Sequence, residues 1–302
     1  IKDTPPVVFV PADEDQPRWE ALAGEERAAK EAIAARTEAA RAEFASWLEG
    51  ASNESLAALL PADGLKLHAR LAPRDEEPAP KAGVGALLEL ADAGDFEKDQ
   101  PFTVSAWLRI DEAGRTGAAV ARMDDANGFR GWDLWVDRGR VGTHIVHKWS
   151  EDALKVMSKA QLTVGFWTHV AVSYDGSGKA SGVKVYFDGV PQATNADADN
   201  LKGSIRATVP LKVGQRHATS RLEDAAISDV RIHARSLSKL DVDGLVGVGR
   251  ASDLLAKAKE QRKDEETQRV FAWWLTSFDG PAKELNAKLA AVEQEREALK
   301  AR

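Results

Sequence analysis

Cysteine is absent from all 302 residues, which excludes disulfides, thiol catalysis and thiolate metal sites. It leaves the compartment open, and without a Cys-x-x-Cys-His motif the chain itself attaches no c-type haem. An excess of basic charge is also missing. The net charge of -7 disfavours a nucleic-acid role, because a phosphate binder normally carries a basic patch. No apolar run approaches the roughly 18–20 residues of a membrane span. No Met or signal sequence precedes Ile1, so the chain is expected to be a processed product or an excised fragment. The apolar and charged fractions, 43% and 29%, are those of a soluble globular protein. Such a length allows one sizeable domain with additions, or two domains.

What is present falls into three blocks. In the middle block, Phe102, Val104, Ala106 and Leu108 alternate with Thr103, Ser105, Trp107 and Arg109, the period of a strand with two unlike faces. Val170, Val172 and Tyr174 do the same against Ala171 and Ser173. Tyr174 to Gly182 is rich in Gly, Asp and Ser, and reads as a hairpin connection. Val183, Val185 and Phe187 then run into a tight turn at Asp188-Gly189. Short strands about ten residues apart, punctuated by turn residues, predict an antiparallel sandwich.

The flanks change period. Pro17 to Leu48 is rich in Ala, Glu and Arg and has no internal proline, which favours helix. Its large residues, among them Trp19, Leu22, Ile33, Phe44 and Trp47, recur at steps near three and four. Ala251 to Arg302 repeats the pattern, interrupted at Asp279-Gly280-Pro281. Leu254, Leu255, Ala258, Phe271, Trp274 and Leu275 mark one helix, with Ser252 or Asp253 near its cap. Leu285, Leu289, Val292 and Leu299 mark another. These are short coiled-coil seams, and helices of this length cannot hide an apolar stripe alone. The economical arrangement pairs the two flanks antiparallel within one chain; the rival is a self-associating seam that forms a dimer. The expected organisation is an amino-terminal arm and helix over 1–62, a sandwich over 63–245, and a helical segment over 246–302 that pairs with the first.

The ordered phrases Phe102-Thr-Val-Ser-Ala-Trp107, Trp167-Thr-His-Val-Ala-Val-Ser-Tyr-Asp-Gly176, Val185-Tyr-Phe-Asp-Gly189 and Ile227-Ser-Asp-Val-Arg-Ile-His-Ala-Arg-Ser-Leu-Ser238 resemble those of the laminin-G-like, concanavalin A-type domains. The resemblance implies a mainly β chain with helical flanks: an antiparallel two-sheet jelly-roll sandwich, here inserted in an α-helical, coiled-coil-like hairpin. It also implies a binding platform and an extracytoplasmic setting, periplasmic or at the cell surface. The flanks, on Trp19 to Trp47 and Leu285 to Leu299, resemble helices of large planctomycete-type surface proteins. Those proteins combine a cytochrome-c-like segment, domains of unknown function and often a laminin-G-like insert. The chain would then be the middle of a larger polypeptide.

Catalysis has weak support in the sequence. Concanavalin-type glucanases need two carboxylates on one strand face, about 5–5.5 Å apart when retaining. The nearest segments are Glu223-Asp224, whose adjacent members point to opposite faces, and Asp241-Val-Asp243, placed in the exit from the sandwich. His144 and His147, three apart, face opposite sides of a regular strand, so a shared metal would require a bulge. His169 beside Trp167 suits a structural hydrogen bond, while His68, His217 and His233 are isolated. No metal site is expected from these.

The resemblance also allows calcium, held by Asp carboxylates and carbonyl oxygens. Asp92, Asp95, Asp124, Asp125 and Asn127 are the loop oxygens available, while Ser228 stands where the family has its first acid. Aromatics give the sharpest expectation. Gly131-Trp-Asp-Leu-Trp-Val-Asp137 puts Trp132 and Leu134 on one face, Asp133 and Trp135 on the other, and Trp149 follows a hairpin. Since the family packs its core at Trp107, Trp132 and Trp167, the residues for stacking on a sugar are Trp135 and Trp149. Asp133 and His147 are the neighbours expected to bind hydroxyls. The expected function is therefore a non-catalytic binding or scaffold module of a larger protein, recognising a glycan or protein. The alternatives are a polysaccharide-active enzyme of this class and a purely structural spacer.

Overall fold

In the computed structural model, which describes residues 11–71, 74 and 86–301, the chain divides into two compact units. One combines residues 1–56 with 250–302; the other is the continuous stretch 57–249. The second unit therefore interrupts the first in sequence.

Three helices come first: α1 (Gln16–Ala39), α2 (Arg41–Gly50) and α3 (Asn53–Ala57). Thirteen strands follow: β1 (Leu65–Ala69), β2 (Leu88–Leu90), β3 (Phe102–Ile110), β4 (Thr116–Asp124), β5 (Arg130–Asp137), β6 (Arg140–Lys148), β7 (Asp152–Gln161), β8 (Thr168–Tyr174), β9 (Val183–Phe187), β10 (Val190–Pro191), β11 (Thr194–Asp199), β12 (Leu211–Val213) and β13 (Ala225–His233). The last elements are α4 (Lys239–Ala256), α5 (Asp264–Ser277) and α6 (Gly280–Lys300).

The strands form two antiparallel sheets, ordered β1-β13-β3-β8-β9-β10 and β11-β7-β6-β5-β4-β12-β2. Alternation decides which side chains meet between them. Phe102, Val104, Ala106 and Leu108 of β3 and Val170 and Val172 of β8 face Trp132 and Leu134 of β5, Ile145 of β6 and Val156 of β7 in one core. Phe102 lies 5.2 Å from Trp132 and 5.6 Å from Tyr174, ring centre to ring centre. The second face of β3 is buried as well. On that side of the six-stranded sheet Ala171 and Tyr186 pack against Leu237, Val242 and Leu245. Trp107 is therefore buried on this outer face, edge-on to His169 at 5.4 Å, and not between the sheets. Trp167 is half-buried beneath the Arg109 guanidinium at 5.4 Å.

Turns occur where the composition placed them. Arg138 (φ 52°) and Gly139 (φ 81°) join β5 to β6, and Asp188 (φ 49°) and Gly189 (φ 83°) join β9 to β10. Two consecutive positive φ values make the two-residue turn whose twist matches antiparallel strands.

Within the helical unit, α1 runs antiparallel to α6. Trp19 and Leu22 pack on Val292 and Leu299, with Arg18 donating to Glu295, Arg296 to Glu26 and Arg36 to Asp279. Phe44 meets Phe271 at 5.1 Å and Trp274 at 5.7 Å, while Trp47 stacks on Phe278 at 6.0 Å. Three expectations need correction. The amino-terminal helix is broken at Ala40; Leu254 and Leu255 lie on α4 but Phe271, Trp274 and Leu275 on α5, so they mark two helices and not one; and Ser252 and Asp253 lie inside α4 instead of capping a helix. The helix start is Ser238, where Ser238 N donates to Asp241 and Asp241 N donates to Ser238 Oγ, a reciprocal cap. The next helix starts after Lys263, where Asp264, Glu265 and Glu266 place acidic charge in the first turn.

Candidate functional site

The outward face of the seven-stranded sheet carries its own apolar cluster, separate from the core. Ala118, Ala121 and Met123 of β4, Val146 of β6 and Ala153 of β7 pack there with Phe129 and Trp135. It exists because β5 puts Trp135 opposite Gly142 of β6. A Cβ at Gly142 would stand 2.0 Å from Val156 O, so only glycine allows this approach of β6 to β7. Above the cluster is a cavity of about 280 Å³. Its apolar walls include Phe129, Trp135 and Trp149, and its polar groups are Thr116, Asp137, His144, Lys155 and Arg216.

A buried charge network holds these walls. Asp133 is 0% exposed. It accepts from His144 N at 2.8 Å, from Arg216 Nε at 3.0 Å and from Arg216 Nη2 at 2.6 Å; His144 Nδ1 lies 3.1 Å away. Burial pushes the Asp133 carboxyl up, but the charges of His144 and Arg216 and the hydrogen bonds from His144 outweigh it and hold it down to about 2. Arg216 lies over the Trp135 ring at 4.1 Å and over Phe129 at 5.3 Å. His144 stands edge-on between Trp135 at 5.4 Å and Trp149 at 5.3 Å. Trp149, 38% exposed, is the aromatic wall that solvent reaches most.

Trp135 and Trp149 are brought together on this cavity, as their alternation and the hairpin between them allow. The other two expected residues are placed differently. Asp133 cannot touch a ligand, because Arg216 and His144 take its oxygens; it positions them instead. His147 does not line the cavity: its Nδ1 meets Ser204 O at 2.6 Å. His144, Arg216, Lys155 and Phe129 were missed. Alternation places His144 beside Trp135, so it was within reach of the sequence. Arg216 lies 83 positions from Asp133 and carried no local signal.

The acidic pairs lie elsewhere, with Glu223 exposed to solvent. Asp224 sits in a positive-φ turn and pairs with Arg115. Asp241 and Asp243 lie on α4 and not on a strand, bound to Arg235 and Lys239. Hydrogen bonding from Arg235 holds the Asp241 carboxyl well below the usual range. Of the loop oxygens suggested for calcium, Asp95 pairs with Arg206 and Asp124 accepts from Asn127 Nδ2 at 2.6 Å. Asp125 accepts from Thr219 N at 2.8 Å, and Asp92 stands exposed. Asp229, beside Ser228 in a bulge of β13, is held by His68 and Arg231. Among the described residues no group of three His, Asp or Glu side chains is placed to share an ion. Among those residues, too, no helix is long and apolar enough to cross a membrane.

Residues 82–243 match the laminin-G-type family model of the concanavalin A-like lectin/glucanases superfamily. No curated protein matches the chain. Solved structures similar to it include the binding domain of Paraclostridial Mosquitocidal Protein 1, at 15% identity and TM-score 0.41, over 62% of this chain and 46% of that one. The binding domain of botulinum neurotoxin DC, in complex with rat synaptotagmin II, aligns at 16% identity and TM-score 0.38, over 50% of this chain and 36% of its own. Trypanosoma rangeli sialidase, in complex with 2,3-difluorosialic acid, aligns at 16% and 0.37, over 49% and 23%. The chain thus spans less than half the length of each.

Proposed function

The chain belongs to the concanavalin A-like lectin/glucanases superfamily, and from that premise we propose that it is a non-catalytic, glycan-recognising module. The observation that carries this reading is the cavity on the outer face of the seven-stranded sheet, where exposed Trp149 stands beside Trp135 with polar groups converging between them. Aromatic faces supply stacking area for sugar rings, and fixed polar groups beside them supply orientation. Asp133 makes the site rigid: it pins Arg216 and His144, so little side-chain freedom is lost on binding.

The superfamily also contains hydrolases, and glycoside hydrolysis generally needs two carboxylates flanking one bond, one of them with a raised pKa. Asp137 is the only carboxylate among the described residues that line the cavity. Every described carboxyl group with a clearly displaced ionisation is displaced downward, Asp133, Asp229 and Asp241 among them. This favours binding over turnover. We place the module outside the cytoplasm, as part of a larger polypeptide.

The test is a glycan array probed with the full chain, followed by the same array with Trp149→Ala. Binding by the wild type that the variant loses supports the proposal. An empty array, or a signal unchanged in Trp149→Ala, refutes it.

A further inference from the structure

The charge around the cavity is unequal, and this bears on what kind of sugar fits. Three basic side chains line it, His144, Lys155 and Arg216, against a single acid, Asp137. That acid is already committed, since Arg140 Nη2 donates to it at 2.6 Å. Asp133 neutralises one edge of the Arg216 guanidinium through Nε and Nη2. For the third nitrogen, Nη1, no acceptor is found among the described residues. Lys155 pairs at 2.9 Å with Asp197, whose side chain is half-exposed, a contact that water screens and a ligand can displace.

Taken together, the described cavity offers donors that no protein acceptor answers. They are held on a guanidinium fixed over two aromatic rings and on the Lys155 ammonium beside it. A neutral hydroxyl satisfies such donors weakly, whereas a carboxylate accepts charge-assisted hydrogen bonds, roughly twice as strong. The volume, about 280 Å³, sits at the lower limit of small-ligand pockets and suits one ring. Trp149 is then left to stack on a neighbouring unit.

We infer that the cavity takes a carboxylate-bearing sugar, a uronic acid residue within an oligosaccharide. This rests on the glycan reading above and goes further by assigning the ligand's charge. The carboxylate lies against Arg216 and Lys155, and the sugar rings against Trp135 and Trp149.

The experiment is calorimetric titration of the full chain with oligogalacturonate and oligomannuronate, each paired with its methyl ester. The esters keep the rings and remove the charge. The expected result is that at least one acid binds and its ester binds roughly tenfold more weakly or worse. Lys155→Gln should weaken the acid by a similar factor and leave the ester unchanged, while Trp149→Ala weakens both. Lys155 is partly exposed and outside the buried network, so this variant keeps the fold. Equal affinity for acid and ester overturns the inference and leaves the glycan reading standing, provided Trp149→Ala abolishes both. Binding of neither acid, or of a sulfated oligosaccharide in their place, overturns the inference; the glycan reading then rests on the array.

Discussion

Asp133→Asn keeps the shape of a fully buried side chain and removes its charge, and it tests the scaffold of the site. The carboxylate serves His144 N, His144 Nδ1 and two nitrogens of Arg216, whose side chain is only 8% exposed. Without that charge the guanidinium stays buried and uncompensated, a situation that costs about 3–5 kcal/mol. The carboxyl's own titration gives a separate scale. Its displacement from 3.8 to about 2 corresponds to roughly 2–3 kcal/mol of preference for the charged form in the fold. A loss of about 3 kcal/mol is therefore expected, read by urea denaturation with near-ultraviolet circular dichroism. Arg216→Met in the same background should recover part of it, because no buried charge is then left alone. The pH dependence has a definite sign. The folded pKa is depressed, so the contribution is complete above the unfolded value near 4 and is lost as pH falls toward 2. Wild type should lose that stability in this window and Asp133→Asn should not. A cost below about 0.5 kcal/mol at pH 7, or costs that simply add in the double variant, would refute the reasoning.

Deleting Ile1–Gly50 removes the partners of Phe271, Trp274, Val292 and Leu299, whose burial is worth roughly 1.5–3 kcal/mol each. Light scattering should then show aggregation or dimers, and a well-behaved monomer of unchanged stability would contradict the seam. Trp149→Ala should leave the melting temperature within about 2 °C of wild type, since the residue is 38% exposed and lies outside both apolar cores. A much larger drop would mean that Trp149 is a structural residue. Calcium or EDTA should shift the melting temperature by less than about 1 °C, because Asp95, Asp124 and Asp125 already accept hydrogen bonds from protein donors; a calcium-dependent rise of several degrees would reverse that. No polysaccharide should be cleaved, and cleavage that vanished in Asp241→Asn or Glu223→Gln would overturn the non-catalytic reading.

The strands were legible because one periodicity governs each face. Phe102 to Leu108 and Trp132 to Leu134 alternate cleanly, and both sets lie in the core. The same rule put Trp135 outward. It failed at Asp133, because outward on this sheet does not mean exposed: Arg216 arrives from a loop 83 positions away and covers it. Such pairings depend on topology and leave no local trace. Trp107 misled for a related reason, since a bulky aromatic at an outward position signals a second buried face as well as a core. The start of α4 was readable and was missed. Asp241-Val-Asp243 alternates like a strand, but Ser238 three residues before Asp241 is the signature of a capped helix.

The central claim is that recognition takes place at the cavity walled by Trp135 and Trp149. The most direct measurement is a titration of the indole N–H resonances in a ¹⁵N-labelled full chain with a glycan selected on the array. The account predicts that the Trp149 and Trp135 indole signals shift first and saturate together, while those of Trp107, Trp167 and Trp273 stay in place. Shifts confined to Trp273, Trp47 or Trp167, with Trp149 and Trp135 unmoved, would contradict it.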